Sequence, residues 1–342
     1  RWIAIDGSCL AAGVWIPGDE DGLDYPRHGV CVYRYIGGDV DEWIEEALLV
    51  VPENRQIIDH PRYAIDNKRI AIVSMTDHQT INERDVIDIF IFDGASDTWF
   101  LEGTIDEGIT TAGMDYPWAT SIDIDGDVLV AGYPSLNQDL KEPNSGGVYL
   151  YHFNDGAWEH EDTILPMADG SLGQSDHQFG MTVALDDDIA AVMSGDALSI
   201  YDISGGEGVG LQFIPEVTGH NHPSPHSLDI DEGRIMTTVG TPSGGDWDSI
   251  GSGIFEHDGT EWVLTSILSL FDYVADDMAG YIVDINGSTA LITSPNDDDL
   301  GYGTGSGYLW EHDGSSWVFK AKLWSDWADA GDQFGIGAAI HD

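Results

Sequence analysis

Short apolar runs separated by turns of acid and glycine recur along the chain. The clearest copy is Ser121 to Pro134, SIDIDGDVLVAGYP, in which two apolar stretches flank Asp125-Gly126. Glycine tolerates the positive backbone angle of a tight primed turn, so this pattern predicts strand, turn, strand. The apolar residue before the turn acid recurs as Ile5, Ile65, Ile124, Leu185, Ile230, Ile285 and Ile340, at separations of 60, 59, 61, 45, 55 and 55 residues. A period of roughly 40 to 60 residues built from short strands is the signature of a β-propeller, each repeat forming one blade.

With the hairpin as ruler, each repeat resolves into four strands, A to D from the axis outward. In the third they run Trp118–Ile124, Val128–Tyr133, Gly147–Phe153 and Trp158–Leu165. The fourth is compressed because only Ser194 to Asp196 joins its B and C strands. B strands such as Ile70-Ala71-Ile72-Val73 are apolar on successive residues, as expected where neighbouring blades cover both faces. A turn followed by tryptophan opens strand D: Asp93-Gly94 before Trp99, Asp155-Gly156 before Trp158, Asp258-Gly259 before Trp262, Asp313-Gly314 before Trp317. These tryptophans read as seals between blades rather than as ligand-stacking residues. The expected architecture is all-β: a single β-propeller domain over 1–342 of four-stranded antiparallel blades. Its repeats lie near 1–60, 61–115, 116–175, 176–222, 223–278 and 279–330, and one extra inner strand, Phe334 to Ile340, opens another repeat over 331–342.

Charge narrows the partners. The chain holds 62 acidic and 12 basic residues, a formal net charge of -50. Such a surface repels nucleic acid and anionic membranes and attracts divalent cations and basic partners. It is also the composition of proteins kept hydrated in high salt. No apolar run approaches the roughly 18 residues that cross a bilayer, so membrane insertion is not expected. Cys9 and Cys31 fall near opposite ends of one predicted strand pair and are expected to be free thiols. The chain begins inside a predicted strand and stops at the equivalent point of a later one. The expectation is a piece of a longer, exported polypeptide whose signal lies elsewhere.

Asp332-Gln333-Phe334-Gly335, Asp176-His177-Gln178-Phe179-Gly180 and Gly146-Gly147-Val148-Tyr149-Leu150-Tyr151 carry a family likeness. Together with Ala131-Gly132-Tyr133-Pro134 and Gly240-Thr241-Pro242 they resemble the FG-GAP repeat of integrin-alpha-like propellers. Only two repeats keep Phe-Gly; Tyr63-Ala64, Trp118-Ala119 and Ala279-Gly280 are degenerate, and His226-Ser227 departs further. The resemblance implies an extracellular or cell-surface module of typically seven blades. Here six repeats and one strand are present, so either a blade lies outside this chain or six close with a redundant strand.

The resemblance also implies Ca2+ in the loop between strands A and B, where Asp123, Asp125 and Asp127 supply alternating carboxylates. The competing reading is a plain tight hairpin, which the other turns favour. The opposite rim, where B–C and D–A connections emerge, is the expected partner surface. Acidic loops there contain Asp19, Asp21, Asp24, Asp246, Asp248, Asp297, Asp298 and Asp299, and a D–A connection holds His220, His222 and His226. The first functional expectation is a non-enzymatic recognition or adhesion module for protein or glycan, assisted by divalent cations. The alternatives are a catalytic propeller acting on polysaccharide at the acidic rim and a structural spacer. No nucleophile elbow, zinc-protease pair or nucleotide loop occurs.

Overall fold

The computed structural model describes residues 3–16, 27–37, 42–52, 55–56, 62–66, 68–76, 84–106, 119–136, 145–167, 178–195, 197–215, 217, 227–240, 249–272 and 277–341. Blade 1 contains β1 (Ile3–Asp6), β2 (Cys9–Ile16), β3 (Arg27–Ile36) and β4 (Glu42–Leu49). Blade 2 contains β5 (Arg55–Gln56), β6 (Tyr63–Asp66), β7 (Arg69–Thr76), β8 (Arg84–Asp93) and β9 (Thr98–Ile105). Blade 3 is β10 (Ser121–Asp125), β11 (Val128–Tyr133), β12 (Gly147–Asn154) and β13 (Ala157–Ile164). Blade 4 is β14 (Thr182–Asp186), β15 (Ile189–Ser194), β16 (Ala197–Asp202) and β17 (Val209–Ile214). Blade 5 is β18 (Leu228–Asp231), β19 (Arg234–Gly240), β20 (Ser249–His257) and β21 (Trp262–Ser269). Blade 6 is β22 (Val283–Asn286), β23 (Thr289–Ser294), β24 (Ser306–His312) and β25 (Trp317–Leu323).

Apart from β5, every blade is an antiparallel meander in sequence order, and the inner strands β1, β6, β10, β14, β18 and β22 neighbour one another in that order. The protein is a β-propeller of six blades. The short β5, which caps β7 in blade 2, has no counterpart in the predicted repeat. Each third strand carries a register shift against the fourth at the same place, as between Leu150 and Tyr151 or Leu309 and Trp310. Such bulges increase the local twist and swing each outer strand away from the axis.

The apolar core lies between blades rather than within them. Five buried clusters are each shared by two successive blades. Successive apolar residues on β7 explain how: Ile70 and Ile72 join the cluster with blade 1, and Ala71 and Val73 the cluster with blade 3. A strand alternates its side chains between faces, so an uninterrupted apolar run is what a strand covered on both sides requires. Tryptophans at the start of the outer strands close these layers, as the sequence predicts. Trp99 Nε1 donates to Glu46 of blade 1 at 3.0 Å and Trp158 Nε1 to Glu102 of blade 2 at 3.3 Å.

The small residues of the FG-GAP-like elements mark a close approach between backbones. A Cβ on Gly132 of blade 3 would lie 2.0 Å from the carbonyl oxygen of Gly180, which opens blade 4. Beside this contact, Phe179 pairs with Gly146 in a parallel bridge and its ring is fully buried.

The segment Phe334 to Ile340 repeats this docking on blade 6. Phe334 pairs in parallel with Gly305, and Ile340 N–H donates to Asp284 Oδ2 at 3.1 Å, as Leu185 N–H does to Asp123 at 2.9 Å. It does not become the extra inner strand expected from the sequence. Beyond Phe334 it forms no ladder, and Phe334 remains 38% exposed where Phe179 is buried. An inner strand is held as a strand by pairing with its own second strand, and no described residue pairs with this segment in that way.

Cys9 and Cys31 are both buried and free. The register sets Cys9 opposite Arg34 and Cys31 opposite Ala12, three rungs apart on β2 and β3. No described helix is long and apolar enough to cross a membrane.

Candidate functional site

The A–B turns gather at one rim, and there the aspartates of the repeat tie each blade to the next. The carboxylate ending an inner strand accepts a turn N–H of the following blade. Asp66 takes Gly126 at 2.6 Å, Asp125 takes Asp187 at 2.7 Å, Asp186 takes Gly233 at 3.4 Å, and Asp231 takes Gly287 at 2.6 Å. Two residues earlier a second series runs parallel, with Asp123 to Leu185, Asp229 to Ile285 and Asp284 to Ile340. The innermost strands are too far apart for a continuous ladder, so carboxylates bridge backbone donors that would otherwise go unmet.

These bonds redirect the cation reading of Asp123, Asp125 and Asp127. The first two spend their carboxylates on blade 4, and Asp127 pairs with Arg69 at 2.7 Å. Arg69 also grips Glu102 through Nε and Nη2, one edge of its guanidinium, and lies over the rings of Phe153 and Trp158. Three carboxylates aimed at three partners are not gathered round one point. Among the described residues no group of three or more His, Cys, Asp or Glu side chains is spaced to hold a metal.

Burial, with crowding of like charge behind it, shifts the ladder at this rim. Asp186 is raised to about 6, first by burial and then by Asp231, Asp187 and Asp125, against the opposing pull of the Gly233 N–H. Asp125 and Asp231 are raised for the same leading reason. Elsewhere, between blades 2 and 3, burial lifts Asp85 to about 7 although Ala119 N–H donates to it and Arg62 lies near.

The opposite rim of blade 6 holds a cleft of about 220 Å³, lined by Asp297, Asp299, Leu300, Thr304, Gly305, Ser306, Lys322 and Trp324. Its polar floor is built around Lys322. The ammonium meets Asp272 at 2.8 Å, Asp297 at 2.7 Å and Asp299 at 2.6 Å, above the ring of Tyr308. Burial alone would lower the lysine's pKa, but these bonds hold it above its ordinary value. Asp297 is buried; dehydration pushes it up, and bonds from Lys322 and Ser306 outweigh that and keep it ionised. Tyr308 O–H donates to Asp272 and Asp297.

The connection above this floor is stiffened by its own backbone. Asp298 Oδ1 accepts Gly303 N–H, Asp297 O accepts Gly305 N–H, and Gly303 has φ +57°. Tyr302 and Gly303 carbonyls then accept Gly331 and Gln333 N–H, fastening the D–A connection alongside. Large apolar side chains stand out on these two connections: Tyr302 is 81% exposed, Trp327 90%, Leu300 57% and Trp324 48%.

Of the rim residues singled out in the sequence, the structure brings Asp297 and Asp299 into the cleft and uses Asp298 to shape its loop. Asp19, Asp21, Asp24, Asp246, Asp248, His220, His222 and His226 lie outside the described residues. Sequence reasoning missed Asp272, Tyr308, Lys322, Trp324 and Trp327. One signal was available: in a chain with so few basic residues, a lysine two positions before an exposed tryptophan stands out.

No family model matches this chain, so the FG-GAP resemblance rests on its residues, and no curated protein matches either. Solved structures of similar shape include Saccharomyces cerevisiae Sqt1, at 11% identity and a TM-score of 0.45, covering 95% of this chain and 75% of that one. Another is a S. cerevisiae assembly of Dbp5 with Nup159, Gle1, IP6 and ADP, at 11% identity and a TM-score of 0.42, covering 76% of this chain and 60% of that one. At this identity and overlap these likenesses carry no functional information.

Proposed function

We propose that this propeller is a non-catalytic recognition module that engages a protein partner through the B–C and D–A rim of blade 6. The observation that carries the reading is the strong exposure of Tyr302 and Trp327 on the two connections that form this rim, with a half-exposed Trp324 lining a preformed polar cleft. Exposed aromatics on a rigid scaffold, in a chain otherwise rich in charge, mark surfaces that partners cover. The integrin-alpha-like resemblance supports placing such a module outside the cell, in an adhesive protein.

A polysaccharide-cleaving reading would draw on the raised carboxylates. Asp85, Asp125, Asp186 and Asp231 each accept a backbone N–H from the neighbouring blade, which favours a structural duty for them. The test is site-directed photo-crosslinking, with the reactive side chain placed at Trp327 and, as control, at Asp187 on the other rim. A polypeptide captured from native surroundings at Trp327 and absent at Asp187 supports the reading; equal capture at both rims ends it.

A further inference from the structure

The ligand chemistry of the cleft follows from its donors and acceptors. A lysine has three ammonium hydrogens, and Lys322 directs them to Asp272, Asp297 and Asp299. It has none left for a ligand, so its work is to lock the carboxylates in place. Three carboxylates against one ammonium leave an excess of two negative charges on the floor. Asp299 is the member that meets solvent, with its side chain 58% exposed, and an ionised carboxylate can only accept hydrogen bonds. The wall beside it carries the Trp324 indole and Leu300. Small-molecule pockets run to about 300–1,000 Å³, and this cleft of about 220 Å³ suits a single side chain better.

We infer that the cleft is a socket for an arginine side chain of a basic partner segment, a deeper statement that rests on the rim reading above. A guanidinium is planar, carries five donors in a fixed fork, sheds water more readily than an ammonium, and stacks on indole faces. It would set its fork on Asp299 and its plane against Trp324, and its charge answers the local excess. The field of a chain with formal net charge -50 draws such a segment in from a distance. A neutral sugar could stack on the same indole and donate hydroxyls, but it gains nothing from the two uncompensated charges. An acidic peptide is repelled.

The experiment titrates the whole chain, by calorimetry at low salt, with a capped pentapeptide bearing one arginine, with its lysine and citrulline counterparts, and with a panel of neutral oligosaccharides. The expected result is saturable one-to-one binding of the arginine peptide, weaker binding of the lysine peptide, and at least roughly tenfold loss on changing arginine to citrulline. Asp299→Asn and Trp324→Ala should each weaken the arginine peptide by roughly tenfold or more. Glu207→Gln removes an equal charge from an exposed position on blade 4 and should change binding by less than about twofold. Trp324 is half-exposed, so its truncation tests the socket even if Asp299→Asn disturbs the lysine clamp. Equal binding of citrulline and arginine, or equal loss in Glu207→Gln and Asp299→Asn, overturns the proposal. So does an oligosaccharide that binds through Trp324 while the arginine peptide does not. If the polypeptide crosslinked at Trp327 is not displaced by the arginine peptide, the socket is wrong while the rim reading stands; equal crosslinking at both rims removes the rim reading itself.

Discussion

Asp186→Asn should stabilise the protein at pH 8 and leave it unchanged at pH 4. Asp186 ends the inner strand of blade 4 among Asp125, Asp187 and Asp231, and accepts a long bond, 3.4 Å, from Gly233 N–H. Its pKa of about 6, against 3.8 for the free group, means that the folded state holds the proton more tightly than the unfolded chain. The stability linked to that proton is fully present below about pH 4 and is lost as pH rises through about 6. A displacement from 3.8 to about 6 would correspond to about 3 kcal/mol for a fully dehydrated group. Asp186 is only half-buried and its neighbours are partly screened by water, which reduces the figure to about 1 kcal/mol.

Asparagine keeps an oxygen to accept the Gly233 N–H but never charges, so the variant should hold that increment at every pH. For a chain of this size about 1 kcal/mol moves the melting midpoint by roughly 1–2 °C. Differential scanning calorimetry of wild type and variant from pH 4 to pH 8 should show curves that coincide in acid and separate above about pH 6. An exposed control, Asp155→Asn in a C–D turn, should show no such separation. A variant that is less stable at pH 8, or whose gain is the same at pH 4 and pH 8, refutes the reading that burial and neighbouring carboxylates make the charged Asp186 costly to the folded state.

Gly132→Ala should cost about 3 kcal/mol or more in urea unfolding, because its Cβ would enter the Gly180 carbonyl; Gly126→Ala, at φ +54° with open space around it, should cost only about 1 kcal/mol. Arg69→Met should lose about 3 kcal/mol, since it strands the nearly buried carboxylate of Glu102, and Arg69→Lys should recover only part of that because the fork is gone. Complete recovery by lysine would show that charge alone holds blades 2 and 3 there. Adding a chelator should leave the melt unmoved, because Asp123, Asp125 and Asp127 are committed to Leu185, Asp187 and Arg69; a rise of several degrees on adding Ca2+ would show that the carboxylates leave those partners for the ion.

The blade count and strand order were legible in the chain because a meander is local. Each apolar run pairs with the next, and a turn such as Asp125-Gly126 states its own geometry. The β11 strand, Val128–Tyr133, falls where the sequence put it. The ends of inner strands were less legible: the Phe179-Gly180 pair that marks the fourth repeat stands outside the ladder, which begins at Thr182. Those residues answer to the backbone of the preceding blade, which their own neighbours in sequence do not reveal.

By itself the sequence determined the secondary structure, its repetition and the sign of the surface charge, since each depends on residues within a few positions or on composition. The destinations of the carboxylates that join one blade to the next were decided only in three dimensions. Asp123 and Asp127 stand four residues apart yet serve different blades, and Asp272 from a D–A connection, Asp297 and Asp299 from a B–C connection and Lys322 from β25 make one floor. A side chain's pairing is set by whatever the packing of one blade on the next carries to within hydrogen-bond reach, and that packing belongs to the blades together rather than to any one of them.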